Sequence, residues 1–67
     1  MKFDKLKNKM FEKRKTYKDC ADMLNISVVA FSNKINGYNE FKVTEAIRLS
    51  EFLTLTPEES YEIFFIK

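Results

Sequence analysis

The side chains in this chain that could do chemistry are amides and hydroxyls gathered in one short run, SVVAFSNKIN, which covers residues 27–36. A carboxamide offers a donor beside an acceptor, so an exposed Asn can pair with the N6 and N7 edge of adenine. A Ser hydroxyl can donate or accept, and Val methyl groups can pack on the thymine methyl. If the run is a helix, the residues on its exposed face are expected to contact DNA bases. They are Ser27, Val28, Val29, Ser32 and Asn33.

The two valines at the front of this run leave other interpretations open. Side chains that read base edges are usually polar, so one valine could instead turn into the core while Asn33 is merely solvated. If Val28 and Val29 are both exposed, they also suit a protein interface, where desolvated apolar anchors dominate binding. The run therefore predicts a recognition surface and leaves its partner open between DNA and protein.

Acid–base, nucleophilic and metal chemistry has few candidates in the chain. There is no His, the commonest general base and metal ligand, so the one cysteine, Cys20, lacks a base to activate it. The single Gly excludes a Gly-rich phosphate loop. The carboxylates of Glu58, Glu59 and Glu62 fall in the first turns of a predicted helix, where they favour the helix dipole. The sequence predicts a protein that is not an enzyme and that uses no metal, cofactor or small-molecule substrate.

The composition indicates the elements that must position the run. Sixty-seven residues, 45% apolar and 15% aromatic, allow one small domain with a single core. One Gly and one Pro among many helix formers indicate helices throughout. We therefore expect an all-α, compact five-helix bundle in one domain, residues 1–67. The apolar spacing and the capping patterns predict helices over residues 4–13, 16–24, 28–36, 43–53 and 57–64.

The break between the second and third predicted helices is the most informative one. Thr16 followed three residues later by Asp19 approximates a capping box that starts the second helix. Asn25 tolerates the left-handed conformation that ends a helix, and Ser27 can accept hydrogen bonds from the first amides of the next. The third helix stops at Gly37. A connection of three residues sets two short helices at a steep angle, so residues 16–36 predict a helix-turn-helix.

Apolar residues at helical spacing predict the core. The first helix, with Asp4 as its N-cap, is expected to bury Phe3, Leu6, Met10 and Phe11. The next helices are expected to bury Cys20, Ala21, Leu24, Phe31, Ile35, Ala46, Ile47, Leu49 and Leu53, with Met23 at the margin. Phe41 should anchor the polar loop of residues 38–42. Thr56, Pro57 and Glu59 should start the fifth helix. At the chain's end, Phe64 should cover the core while Phe65 and Ile66 are partly exposed.

Charge is distributed unevenly along the chain. Residues 1–18 hold eight Lys or Arg against two Asp or Glu, whereas residues 19–67 hold four against eight. This asymmetry predicts an oriented contact with an anionic partner; the alternative is a solvated helix face followed by acidic helix starts. No apolar run approaches the roughly 20 residues that span a membrane, and the first residues lack a signal peptide's apolar segment. With a lone Cys, these features predict an intracellular, soluble protein.

If the helix-turn-helix binds a duplex, phosphate contacts come from the start of its first helix and from the loop after its second. The residues at or near these two places are Thr16, Tyr17, Lys18, Lys34, Asn36, Tyr38, Asn39 and Lys42. Taken singly, the lysines could equally be ordinary solvated side chains. As a set, these residues coincide with the expected path of the DNA backbone.

Several of these features occur together in one known family. Residues 16–53 resemble the Cro/C1-type helix-turn-helix family of phage and bacterial regulators. That family has a Thr-capped second helix with Ala at its fifth position, and Leu-Gly-Ile-Ser at the turn. The family also has Ser within the third helix, Asn-Gly at its end, and a fourth helix close to Ile-x-x-Ala/Ser-x-x-Leu. The matching residues here are Thr16, Ala21, Leu24-Asn25-Ile26-Ser27, Ser32, Asn36-Gly37 and residues 47–53. Asn25 departs from the family's turn Gly, and Val28 and Val29 stand where relatives often place polar residues.

A closer resemblance is to very short phage Cro-like proteins that contain SNK-[IL]-NG and end in an acidic helix followed by Phe-Phe. It implies a lambda repressor-like DNA-binding domain that binds double-stranded operator DNA, often as a homodimer, in the bacterial cytoplasm. The setting would be the lysis/lysogeny switch of a temperate phage of Gram-positive bacteria. One subgroup instead implies an anti-repressor, a modulator that binds the co-encoded phage repressor protein. The predicted partner or dimer surface is Val28, Val29, Phe65 and Ile66.

Overall fold

A computed structural model describes residues 3–65 and contains five α-helices, which confirms the predicted all-α five-helix bundle. No strand occurs within the described residues. The radius of gyration, 10.6 Å, is close to the value of about 11 Å expected for a compact domain of this length. The helices are α1 (Asp4–Glu12), α2 (Tyr17–Leu24), α3 (Val28–Ile35), α4 (Val43–Phe52) and α5 (Pro57–Phe64).

Side-chain caps start the helices where the sequence predicts them, with one exception. Thr16 and Asp19 form a reciprocal capping box at α2, and Thr56 and Glu59 form another at α5 behind Pro57. The N-cap of α1 is Phe3, so the prediction that Asp4 caps this helix is wrong. Asp4 is instead the first helical residue, where its negative charge favours the helix dipole.

Four helices end in the same hydrogen-bonded motif, in which a left-handed residue reverses the chain. After α2, the N–H of Asn25 (φ 59°) donates to the carbonyl of Asp22 and the next N–H donates to the carbonyl of Ala21. This is the Schellman arrangement, and the other helix ends place Arg14 (φ 58°), Gly37 (φ 88°) and Thr54 (φ 55°) at the equivalent position. Since the chain has a single Gly, the other three positions are occupied by Arg14, Asn25 and Thr54. Their backbones adopt the left-handed conformation that is usually found at Gly.

The core lies between the five helices and contains most of the residues that the apolar spacing predicted. The buried apolar residues are Phe3, Leu6, Met10, Cys20, Ala21, Leu24, Phe31, Ile35, Ala46, Leu49, Leu53 and Ile63. Phe41 and Phe64 pack against this core from the loop and from α5, as predicted, and Met23 lies at its margin. Each fully buried Leu, Ile, Phe or Met side chain contributes roughly 1.5–3 kcal/mol relative to exposure.

Two predicted core residues lie on the surface instead. Phe11 is 86% exposed and Ile47 is 52% exposed. In α1, Leu6 and Met10 form the buried side of the helix. Phe11 follows Met10 by one residue, which rotates it about the helix axis towards solvent. In α4, the buried side consists of Glu45, Ala46 and Leu49. Ile47 lies on the other side of Ala46 from Glu45 and therefore faces solvent.

Candidate nucleic-acid interface

The helices α2 and α3 form a packed pair that presents one edge of α3 to solvent. Asn25 ends α2, and the Ser27 hydroxyl accepts a hydrogen bond from the Ala30 N–H at 3.0 Å, which starts α3 three residues later. Phe31 is fully buried, and its ring meets the Tyr17 ring of α2 in a T-shaped contact at a centroid distance of 5.4 Å. Ile35 is also buried. These contacts fix both the position and the rotation of α3 about its own axis.

The first turn of α3 is the exposed end of the helix. Ser27 is exposed, Val28 is 42% exposed and Val29 is 70% exposed, so neither valine turns into the core. Lys34 is the only charged residue of α3. The leading edge is therefore uncharged and presents two branched apolar side chains beside one hydroxyl.

The second half of the predicted base-contacting set is less accessible. Ser32 and Asn33 are half-buried. The Asn36 amide donates to the Ser32 hydroxyl at 3.2 Å, and its oxygen accepts from the Lys7 ammonium of α1 at 3.3 Å. The Asn33 side chain makes no hydrogen bond within residues 3–65. The backbone carbonyl of Asn33 accepts from the N–H groups of Tyr38 and Asn39, which follow the helix. Asn33 therefore keeps a free amide, whereas Ser32 and Asn36 are already partnered.

At the start of α2, two of the three predicted phosphate contacts also stabilise the fold. The Thr16 hydroxyl accepts from the Asp19 N–H at 3.1 Å, and Tyr17 is half-buried against Phe31. Lys18 is exposed and pairs with Asp22 at 2.9 Å, a hydrogen bond that raises the pKa of the Lys18 ammonium. Because both partners are largely exposed, this pair is weak and can yield to a phosphate.

At the end of α3 and in the loop that follows it, the predicted phosphate contacts divide into buried and exposed residues. Tyr38 is 80% exposed, and Asn39 and Lys42 are exposed as well. Lys34 differs, because its ammonium donates to the Glu45 carboxylate at 3.0 Å and to the Glu40 carbonyl at 3.2 Å. Its side chain is only 13% exposed. Lys34 therefore fixes the loop to α3 rather than standing free for a ligand.

Glu45 is the residue that holds this loop, and no sequence pattern revealed it. One of its carboxylate oxygens accepts both the Lys34 ammonium and the Lys42 N–H, the latter at 2.8 Å. Burial by itself would raise the pKa of Glu45, but the Lys42 N–H and the Lys34 ammonium outweigh it and hold the pKa below its usual value. A charged Glu45 thus sets the position of the loop relative to α3.

The predicted partner or dimer surface at the chain's end is only partly described. Phe65 is 48% exposed and stacks on Tyr61 at a centroid distance of 6.5 Å. Phe64 turns inwards instead and meets Phe3 and Phe41, which confirms its predicted role in covering the core. Ile66 lies outside the described residues.

Two further findings on residues 3–65 concern metal binding and the thiol of Cys20. Within this range, no group of three or more His, Cys, Asp or Glu residues is placed to hold a metal ion. Cys20 is buried, and burial raises the pKa of its thiol to about 11, far from the pKa of a reactive thiolate.

Comparison with known proteins adds no relative: the chain matches no protein-family model, no curated protein and no solved structure. None of the five helices in the described part of the chain has the length and apolarity needed to cross a membrane. The α2–α3 pair and the loop that follows it are therefore the features of the molecule that bear on its function.

Proposed function

We propose that this protein is a Cro-like transcriptional regulator that binds double-stranded operator DNA with α3, in the lysis/lysogeny switch of a temperate phage. It acts in the cytoplasm of the bacterial host. The observation that carries the proposal is the α2–α3 pair, in which Asn25 and Ser27 join two short packed helices and leave the first turn of α3 exposed. In helix-turn-helix proteins this is the turn whose side chains reach base edges in the major groove.

The proposed base contacts come from three residue types. The free Asn33 amide pairs with an adenine, which is worth roughly 1–3 kcal/mol of discrimination. Val28 and Val29 pack on thymine methyl groups, and Ser27 or Ser32 supplies a further hydrogen bond. The Ser32 hydroxyl accepts from the Asn36 amide and can still donate its own proton to a base.

The proposed phosphate contacts flank this helix on two sides. Thr16, Tyr17 and Lys18 lie at the start of α2, and Tyr38, Asn39 and Lys42 lie in the loop that Glu45 holds. Lys34 and Asn36 belong to this set only if they exchange their present partners for a phosphate. A homodimer, with each copy reading one half-site, fits the proposal.

The second candidate is an anti-repressor that binds the co-encoded phage repressor protein and controls its DNA binding. The exposure of Val29, on a helix edge without charge, favours it. Apolar anchors that become fully desolvated dominate protein interfaces, whereas charge and paired polar groups dominate DNA interfaces. The same surface, Val28 and Val29 with Phe65, would then contact the repressor.

A gel-shift titration on the operator region beside the protein's own gene distinguishes the two candidates. It is run over a range of salt concentrations, with and without the co-encoded repressor. DNA reading predicts specific binding by this protein alone, with affinity that falls steeply as salt rises. Binding at non-specific strength, together with removal of the repressor from its operator, would instead establish the anti-repressor.

Two matched pairs of variants sharpen the result. Asn33→Ala should relax specificity at one base pair, whereas Asn8→Ala, on the exposed side of α1, should not. Val29→Asp should abolish the complex with the repressor if the second candidate holds. Val43→Asp places the same charge on another exposed valine, at the start of α4, and should leave that complex intact.

A further inference from the structure

Phe11 is the most exposed of the large apolar side chains in the described part of the chain, and the proposed DNA-reading surface does not use it. Its ring borders an open hollow of about 500 Å³ on the surface of α1 and the α1–α2 link. The hollow is lined by Met10, Phe11, Arg14, Lys15 and Thr16. An aromatic ring at the rim of a hollow is an arrangement typical of an anchor for another molecule.

Cations outnumber carboxylates around Phe11. Lys13, Arg14 and Lys15 follow one another directly after α1, and none of them forms an ion pair with any residue in the range 3–65. The Lys15 ammonium lies over the Phe52 ring, 4.9 Å from its centroid. The nearby carboxylates are already engaged, since Glu12 pairs with Lys9 and Asp19 accepts the Thr16 N–H.

The backbone of this link is fixed before any partner binds. The Arg14 N–H donates to the Phe11 carbonyl at 3.1 Å, and the Lys15 N–H donates to the Met10 carbonyl at 2.8 Å. Arg14 therefore occupies the left-handed position of a Schellman motif, with φ 58°. A side chain at this position projects from a rigid turn, so little backbone freedom is lost when a partner binds.

We propose that this surface, formed by Phe11 and the cations Lys13, Arg14 and Lys15, binds an acidic segment of a partner protein that carries one large apolar side chain. The apolar side chain enters the hollow and covers the Phe11 ring, while carboxylates on either side pair with the three cations. Charge complementarity selects an acidic partner, because the three cations have no ion-pair partner within residues 3–65, whereas Glu12 and Asp19 already have partners.

A protein segment fits this surface better than a DNA duplex. Phosphates would pair with the three cations, but the backbone of a duplex offers no apolar group to cover an exposed Phe ring. The surface is independent of α3, which contributes no residue to the hollow. The proposal therefore does not depend on whether α3 reads DNA, although Thr16 is shared between the hollow and the proposed phosphate contacts.

The test uses the full chain as bait for a random library of displayed peptides, in the absence of DNA. We expect selection of peptides in which several Asp or Glu residues flank one Leu, Phe or Trp. The affinity of a synthetic consensus peptide is then measured by calorimetry. Phe11→Ser and Arg14→Gly should each weaken it by about tenfold or more, as expected for loss of an anchor at an interface.

Two controls separate binding from folding. Arg14→Gly should keep the backbone of the link, because Gly adopts the left-handed conformation readily. Thr54→Gly makes the same change at the end of α4, and Val43→Ser removes another exposed apolar side chain; both should bind the peptide normally. A library that yields no acidic peptides, or peptides that bind Phe11→Ser as tightly as the unchanged chain, would overturn the proposal. Weaker binding to duplex DNA by Phe11→Ser and Arg14→Gly, with no peptide selected, would assign the surface to nucleic acid instead.

Discussion

The pairing of Lys34 with Glu45 gives a quantitative test of how α3 and its following loop are held together. The change that isolates it is Glu45→Gln, which keeps an oxygen for the Lys42 N–H but removes the negative charge opposite Lys34. Both side chains are largely buried, with 13% and 11% exposed. The variant therefore leaves an ammonium in a poorly solvated site without its counter-charge.

The expected loss follows from this geometry. Removing one member of a fully buried ion pair costs roughly 3–5 kcal/mol, whereas exposed pairs are worth about 0–1 kcal/mol. Lys34 keeps its hydrogen bond to the Glu40 carbonyl and some contact with water, so we expect a loss of about 1–2 kcal/mol. A domain of this size rarely exceeds about 3–5 kcal/mol of stability, so the loss is a large share of the total.

The measurement is urea unfolding followed by circular dichroism at neutral pH, for the unchanged chain, Glu45→Gln, Lys34→Met and the double variant. The double variant should recover about 1 kcal/mol relative to Glu45→Gln, because it removes the uncompensated cation as well. Glu45→Gln should also weaken any operator binding, since the loop that carries Lys42 would lose its fixed position.

A loss below about 0.3 kcal/mol in Glu45→Gln would refute this reasoning, because it would place the pair among ordinary surface ion pairs. Additive effects of Lys34→Met and Glu45→Gln would refute it as well. Residues in direct contact should show a coupling free energy of at least about 0.5 kcal/mol.

The remaining predictions concern the core, a helix end and pH. Phe31→Ala should cost roughly 3–5 kcal/mol and leave the chain mostly unfolded at 25 °C, as measured by its near-ultraviolet dichroism. Thr54→Gly should stabilise the fold by about 0.5–1 kcal/mol in urea unfolding, since a β-branched residue is strained at φ 55°; no gain would contradict that strain. The hydrogen bond from Lys9, helped by the Thr56 N–H, lowers the pKa of Glu59 to about 2. Because that pKa is lower than in the unfolded chain, its stabilising effect is present above about pH 4.5 and disappears as pH falls through about 2. Glu59→Gln should flatten the pH dependence of urea unfolding in that range.

Much of the fold was predictable because local chemistry specifies where helices start and stop. Thr16 with Asp19, and Thr56 with Glu59, satisfy the free amides of a first turn whatever the rest of the chain does. Asn25 likewise ends α2 through its own tolerance of the left-handed conformation. Such patterns act over a few residues, so they can be recognised in a sequence.

Apart from the N-cap of α1, the errors and omissions involve position around a helix and contacts between distant residues. Phe11 and Ile47 lie next to buried positions, and a small rotation of the apolar stripe decides which residue faces inwards. The contacts from Lys34 to Glu45 and from Lys7 to Asn36 join residues 11 and 29 positions apart, and no local pattern announces them. Sequence patterns therefore place residues on and around α3, but they do not indicate which of those residues are free to bind a partner.

Nuclear magnetic resonance mapping of the isotope-labelled protein with an operator duplex tests the central claim most directly. Stepwise addition of the duplex should shift the amide resonances of residues 27–33, with further shifts at Thr16, Lys18, Tyr38, Asn39 and Lys42. A duplex of scrambled sequence should shift mainly the residues proposed to contact phosphate. Absence of sequence-dependent shifts in residues 27–33 would contradict the proposal that α3 reads DNA.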